Sequence, residues 1–286
     1  MLKRIIIVVT LIALAVTFYS VDLSAYYFGS VERYVPSDGG YGIQSDIVGS
    51  NRVVVTDSTV SPYSAIAYIH ADFPSCTECV DGVDENGEPY NYSKKAGTGF
   101  MISPTCMVTA AHNLVCDHGN MVEELRVYFK CTESYDESKP YFRVTPSTAS
   151  INVLEGYTGK QNDKDAGYVV FNTSYTGTTK FFTLYAAPDN FFGSSTNITV
   201  SGHSNRPMYT ATGKARDLQN NGTRFYHSAS TKPGESGGPV YMTASSTYVV
   251  VGIHTNGYSE KITEPNLMYN TAWRITQDFI DMVKGK

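Results

Sequence analysis

Short apolar runs, broken every few positions by Gly, Pro, Asn, Asp and Ser, cover the chain from about residue 52 to its end. They fall at 53–55, 65–69, 98–102, 107–109, 125–129, 167–171, 197–200, 224–226, 238–241 and 248–253, with no helical run between them. Many short strands separated by turn residues predict an all-β protein made of sandwiches or barrels. One segment has the helical period. In 276–284, Phe279, Ile280 and Val283 share a face, and Thr276 stands where an N-cap belongs. Segments 81–95 and 132–140 interrupt the pattern as polar insertions. In the first, Asp84-Glu85-Asn86-Gly87 resembles part of a calcium loop. With Gly87 as sixth position, however, Gly82 would be first and Ser93 twelfth, where oxygen ligands and a Glu are required. The segment therefore reads as a solvated acidic loop.

The amino-terminal pattern is different. Lys3 and Arg4 precede an apolar run over residues 5–16, and Leu23-Ser24-Ala25 offers a small-residue cleavage site. This predicts a signal peptide over 1–25 and a secreted protein; the run is short for a membrane span. Residues 26–44 are Gly- and Tyr-rich without periodicity and read as a short propeptide or linker. The folded domain is then expected over 45–286.

Composition narrows the function. The 286 residues carry 22 Lys and Arg against 27 Asp and Glu, a net charge of −5. That balance lacks the basic footprint of a nucleic-acid binder. A hydrophobic content of 42 % with 22 Tyr and 13 Phe excludes a disordered chain and, with the Val and Thr richness, favours strands.

The chemistry concentrates in Gly234-Glu235-Ser236-Gly237-Gly238-Pro239. A serine nucleophile needs a tight backbone turn behind it and N–H groups aimed at a developing oxyanion, and glycines permit such a turn. Here the N–H groups of Gly234 and Ser236 would form the oxyanion hole. The serine also needs a base. His112 closes Thr109-Ala110-Ala111-His112, directly after a predicted strand. His70, His118, His203 and His227 lack a comparable context and read as structural or surface histidines. A carboxylate must orient the base; Asp165, abutting the strand 167–171, is preferred over Asp163 because it is better placed for desolvation. The chain order is His112, Asp165, Ser236.

These motifs, with Thr98-Gly99-Phe100-Met101 and Asp165-Ala166-Gly167, resemble chymotrypsin-fold serine proteases, and the bacterial glutamyl endopeptidases among them. Further similarity lies in Ser45-Asp46-Ile47-Val48-Gly49-Ser50-Asn51-Arg52, Ile198-Thr199-Val200-Ser201-Gly202 and Gly252-Ile253-His254-Thr255-Asn256-Gly257. The resemblance covers roughly 45–280. It implies two six-stranded antiparallel β-barrels, about 45–180 and 181–286, with a C-terminal helix and the active site between them. It implies acyl transfer on protein or peptide substrates, with no cofactor, no metal in the active site and no nucleic-acid partner, by a monomer. It implies that Thr231 and His254 bind a glutamate side chain, giving cleavage after Glu and more weakly after Asp. It also implies activation by a new α-amino group, freed before Ser45 or before Ile47. Two alternatives are a serine protease of another specificity and a protease-fold binding module without catalysis.

The resemblance also marks a departure. The disulfide usual beneath the catalytic histidine is missing, its positions holding Gly97 and Asn113. The five cysteines are Cys76, Cys79, Cys106, Cys116 and Cys131. Cys106 borders a strand and is expected as a buried free thiol. The other four are expected as two disulfides in an exported protein, ahead of a four-cysteine structural zinc site.

Overall fold

The computed structural model describes residues 51–284, except 80, 84–88, 92, 132–137, 194–195, 205 and 257–268. The predicted signal peptide, the propeptide, both processing junctions and the acidic loop tip at 84–88 lie outside these residues.

Ten strands come first: β1 (Val53–Val54), β2 (Ile66–Asp72), β3 (Asp81–Val83), β4 (Pro89–Asn91), β5 (Lys94–Met101), β6 (Cys106–Thr109), β7 (Glu124–Phe129), β8 (Phe142–Val144), β9 (Ala149–Val153) and β10 (Gly167–Phe171). Seven follow: β11 (Thr183–Leu184), β12 (Asn197–His203), β13 (Met208–Gln219), β14 (Arg224–His227), β15 (Pro239–Ala244), β16 (Thr247–Asn256) and β17 (Asn270–Arg274). The helix Gln277–Lys284 closes the chain. It starts as expected, with the Phe279 N–H donating to Thr276 Oγ1 at 3.3 Å.

The first sheet runs β8-β7-β2-β5-β6-β10-β9, all neighbours antiparallel. It has seven strands where six are expected, for a local reason. β8 and β9 are one run of chain bent at a corner, where the Thr145 carbonyl accepts from the N–H groups of Thr148 and Ala149 and Thr148 Oγ1 accepts from the Thr145 N–H. One half pairs with β7 and the other with β10, so this bend brings the two ends of the sheet together as a nearly closed barrel. The second sheet is a closed ring of six: β13-β12-β15-β16-β17-β14, with β14 returning to β13. The parallel strand β11 attaches to β16. This is the two-barrel chymotrypsin fold with a C-terminal helix.

Alternation explains the cores. In β7, Leu125 and Val127 point inward while Glu124 and Arg126 point outward; in β8, Phe142 and Val144 flank the exposed Arg143. Ile66, Ile69, Phe100, Met107, Val108 and Val169 complete the first core, each fully buried. Burying a side chain of this size is worth about 1.5–3 kcal/mol. The second core is smaller in its side chains, built on Ile198, Val200, Phe225, Val240 and Val251.

The two ends of the described residues cross over. β1 pairs with β13 of the second barrel, Val53 opposite Thr210, instead of leading into the first barrel as the residue order suggests. The C-terminal helix packs back on the first barrel, with the Phe279 ring 6.3 Å from that of Tyr168 on β10 and 5.2 Å from that of Trp273 on β17. Among the described residues no helix is long and apolar enough to cross a membrane.

Candidate active site

β6 ends at Thr109, and the chain winds into the 3-10 turn Ala111–Asn113, which carries His112. The turn is anchored where related folds would place a disulfide. A Cβ on Gly97 would stand 2.5 Å from the Asn113 amide, so only glycine leaves room for that side chain. Asn113 Nδ2 then donates to Thr109 Oγ1 at 3.0 Å and to the Ser236 carbonyl at 2.9 Å. Hydrogen bonds stand in for the bridge, and they tie the residue after His112 to Ser236.

Asp165 is 2 % exposed, just ahead of β10. Its Oδ1 accepts from the His112 N–H at 2.9 Å and its Oδ2 lies 2.7 Å from His112 Nδ1. Gripping both backbone and ring leaves the Nδ1 proton on the carboxylate side and the Nε2 lone pair open. Asp163 is exposed, and its backbone carbonyl, not its carboxylate, accepts from Trp273 Nε1 at 2.9 Å.

The turn before β15 carries Ser236. Gly234 and Gly237 have φ of 94° and 88°. A Cβ on Gly237 would also stand 2.1 Å from the Thr98 carbonyl oxygen. The Gly237 N–H donates to the His254 carbonyl at 2.7 Å and the Gly238 N–H to that of Glu235 at 2.9 Å. Among the described residues, the N–H groups of Gly234 and Ser236 have no acceptor. Thr98, fully buried on β5, links the turn to the first barrel. Its N–H donates to the Ser236 carbonyl at 2.8 Å, and its hydroxyl donates to the Gly234 carbonyl while accepting from the His203 N–H, both at 2.9 Å. The Ser236 hydroxyl donates to the Thr255 carbonyl at 3.1 Å, not to His112.

Glu235, between the two candidate oxyanion donors, is 2 % exposed and ion-paired with Arg52, whose Nε donates to Glu235 Oε1 at 2.9 Å. The guanidinium also lies over the Tyr209 ring, 3.7 Å from its centre. Burial pushes the Glu235 carboxyl up to about 7 against the pull of Arg52. Because the folded-state value is raised, this group stabilises the fold most below its ordinary range, and that contribution is lost as pH rises through about 7. Arg52→Ala removes the opposing charge and should destabilise by about 3–5 kcal/mol near pH 8. The loss should be smaller near pH 5, where the orphaned carboxyl takes a proton. Urea unfolding at both pH values checks this; equal losses would contradict it.

Thr231 and His254, the expected substrate-binding pair, are both buried, and Thr231 Oγ1 has no partner among the described residues. His254 sits on β16, and its Nδ1 is 3.2 Å from Nε2 of His227 on β14; β17 lies between the two strands. Burial, then the neighbouring His112, push His254 down to about 3, and burial pushes His227 well down too. Both rings are neutral near pH 7. His227 was not singled out by the sequence; the available signal was an inward-facing polar residue ending a strand.

The trypsin family profile matches residues 82–280. The chain belongs to the trypsin family of serine proteases. A glutamyl endopeptidase of Bacillus licheniformis is 24 % identical over 258 residues, covering 87 % of this chain and 71 % of the relative. The solved structure of a Glu endopeptidase aligns over 84 % of this chain and 97 % of its own, with TM-score 0.61 and 18 % identity. A thermostable serine protease, AL20, from an extremophilic microorganism aligns over 77 % and 94 %, with TM-score 0.52 and 12 % identity. At these identities the two structures show the fold alone.

The cysteines of this trypsin-family chain depart from the disulfide expectation: all five are free and buried. Cys106 stands apart, as expected, and burial pushes its thiol up to about 12. Cys131 is not with the other three. It packs on Tyr68 and Tyr128, while Cys76, Cys79 and Cys116 gather around His118.

Proposed function

We propose that this trypsin-family chain is a secreted serine endopeptidase that cuts after Glu, and less well after Asp, through an acyl-enzyme on Ser236. The observation that carries the reading is the double grip of buried Asp165 on His112. A carboxylate held this way orients a base and stabilises its charged form. Ser236 Oγ rotates off the Thr255 carbonyl and attacks the scissile carbonyl carbon, passing its proton to His112 Nε2. The oxyanion accepts from the N–H groups of Gly234 and Ser236. His112 returns the proton to the leaving amine as the C–N bond breaks. Water then repeats the sequence on the ester, releasing the acid and restoring the serine hydroxyl.

Specificity rests on Thr231 and His254. The unpartnered Thr231 hydroxyl is a donor without an acceptor; in the tautomer where His227 Nε2–H donates to His254 Nδ1, the neutral His254 ring presents Nε2–H. Both would donate to a substrate carboxylate. Thr231→Val should cut kcat/KM for Glu peptides by about ten- to a hundredfold, as the loss of one hydrogen bond to a charged group. Acylation by a small neutral probe should be unchanged. Equal loss on both substrates would remove Thr231 from the pocket.

Neither imidazole supplies positive charge near pH 7, and the freed amine of Ser45 or Ile47 is the proposed source. The chain is already seated on the second barrel at Asn51, whose side chain bonds the Thr212 carbonyl, and at Arg52. From Arg52, seven residues back to Ser45 span at most about 25 Å and five back to Ile47 about 18 Å. One experiment tests the reading. A serine-directed phosphonylating probe and a peptide library are applied to the precursor and to the processed chain. Labelling at Ser236 and cleavage after Glu are expected from the processed chain, and weak activity from the precursor. Absent labelling would favour a non-catalytic binding module, and preferred cleavage after Lys, Arg, Phe or Leu another specificity.

A further inference from the structure

Cys76 and Cys79 lie on the turn that leaves β2; Cys116 and His118 lie just past the turn that carries His112. Sγ of the three cysteines and one ring nitrogen of His118 lie within 4.8 Å of one another. Cys76 Sγ is 3.6 Å from Cys116 Sγ and 3.6 Å from His118 Nδ1, and Cys79 Sγ is 3.3 Å from the same nitrogen. A disulfide would need sulfurs about 2.05 Å apart. A tetrahedral zinc ion, with Zn–S near 2.3 Å and Zn–N near 2.0–2.1 Å, has edges of about 3.8 Å between sulfurs and about 3.6 Å between sulfur and nitrogen. The one sulfur–sulfur and two sulfur–nitrogen separations above come within about 0.3 Å of those edges, and the remaining separations stay within 4.8 Å.

The surroundings also suit a metal. His118 Nε2, the nitrogen turned away from the sulfurs, is 3.6 Å from Glu78 Oε2; a carboxylate behind the second nitrogen is the usual support of a ligating imidazole. Asn120 Nδ2 donates to Cys76 Sγ at 3.2 Å and to Cys116 Sγ at 3.7 Å, which suits thiolates. The ligand loops are shaped independently of the sulfurs. The Cys76 N–H donates to the Phe73 carbonyl, the Cys116 N–H to that of Asn120, and the Gly119 N–H to that of Cys116. The Ser75 N–H donates to Glu123 Oε1 at 2.7 Å and its hydroxyl to Glu123 Oε2 at 2.9 Å, linking one loop to the strand entry beyond the other.

We propose that Cys76, Cys79, Cys116 and His118 form a structural zinc site in the first barrel. Binding converts three thiols to thiolates and releases three protons, so the ion with its ligands carries one negative charge. Four protein ligands leave no open position, and the metal takes no part in peptide-bond chemistry. Its consequence is mechanical. The Val115 N–H donates to the Ala111 carbonyl at 2.9 Å, so Cys116 directly continues the turn of His112. The site would staple that turn to the exit of β2, near where the missing disulfide would have acted.

The test is metal content of the full secreted chain, purified without chelator. About one zinc per chain is expected, retained in Cys131→Ser and lost in His118→Ala and in Cys76→Ser/Cys79→Ser. Because those variants can fail to fold, the wild-type protein is also stripped of metal and titrated with Co(II). Uptake should saturate near one equivalent, with the intense visible bands of tetrahedral cobalt and thiolate charge-transfer absorption. A Cys76–Cys116 disulfide found by mass spectrometry in the native protein would overturn the proposal. So would a metal-free chain that takes up no cobalt and melts at the same temperature with and without chelator.

Discussion

Ser236→Ala should lower turnover of a Glu-containing peptide by roughly six orders of magnitude, the scale of triad-nucleophile knockouts. Substrate binding should stay near the wild-type value. The reason lies in the local geometry. The turn around Ser236 is held by main-chain contacts: Thr98 and Asn113 grip the Ser236 carbonyl, and Gly237 donates to His254. None of these uses the Ser236 hydroxyl, so removing it should delete the proposed nucleophile and leave the N–H groups of Gly234 and Ser236 in place. Equilibrium binding of an uncleaved peptide and single-turnover kinetics separate the two effects. A clean variant that cuts at the wild-type rate would end the assignment.

Asp165→Asn should lower kcat by about four orders of magnitude with little change in KM, the effect of presenting the wrong histidine tautomer. An amide keeps the shape of the carboxylate but can turn its NH2 toward Nδ1 of His112. The ring then carries its proton on Nε2 and cannot accept from serine. Asp163→Asn is the control; its exposed side chain should leave activity within about twofold. If the two variants exchange these behaviours, Asp163 is the orienting group.

Where the sequence was legible, local rules and tertiary need agreed. β7, β10 and β16 alternate or run apolar as their burial demands, and Asp165 could be placed because it abuts β10. β13 escaped notice although it is the longest strand, at 12 residues. Lys214, Arg216 and Asp217 break its alternation, and the register slips between Arg216 and Leu218. β17 escaped for another reason: Asn270 and Thr271 are polar yet buried. Asn270 Nδ2 donates to the Ala229 carbonyl at 2.8 Å, and Thr271 Oγ1 accepts from Arg224 at 2.7 Å. Strands whose buried positions are polar do not advertise themselves by hydrophobicity.

The cysteines show a different limit. Counting thiols groups Cys131 with the others because residue type is all a count can use. Folding brings His118 to Cys76 and Cys79, 42 and 39 residues away in sequence, and leaves Cys131 between two tyrosines. His227 likewise meets His254 across 27 residues. Pairings this distant depend on barrel closure, which leaves no trace in local spacing.

The crossing of β1 and the helix Gln277–Lys284 bears on the order in which the two barrels can be completed. Phe279, Ile280 and Val283, synthesised after every strand of the first barrel, are buried against its core. The segment beginning at Asn51, made early, finds its strand partner only after β13 exists. Neither half is complete as a contiguous stretch emerging from the ribosome. The first barrel, whose turn carries His112, is therefore sealed only after residues 279–283 have been made and have packed against it.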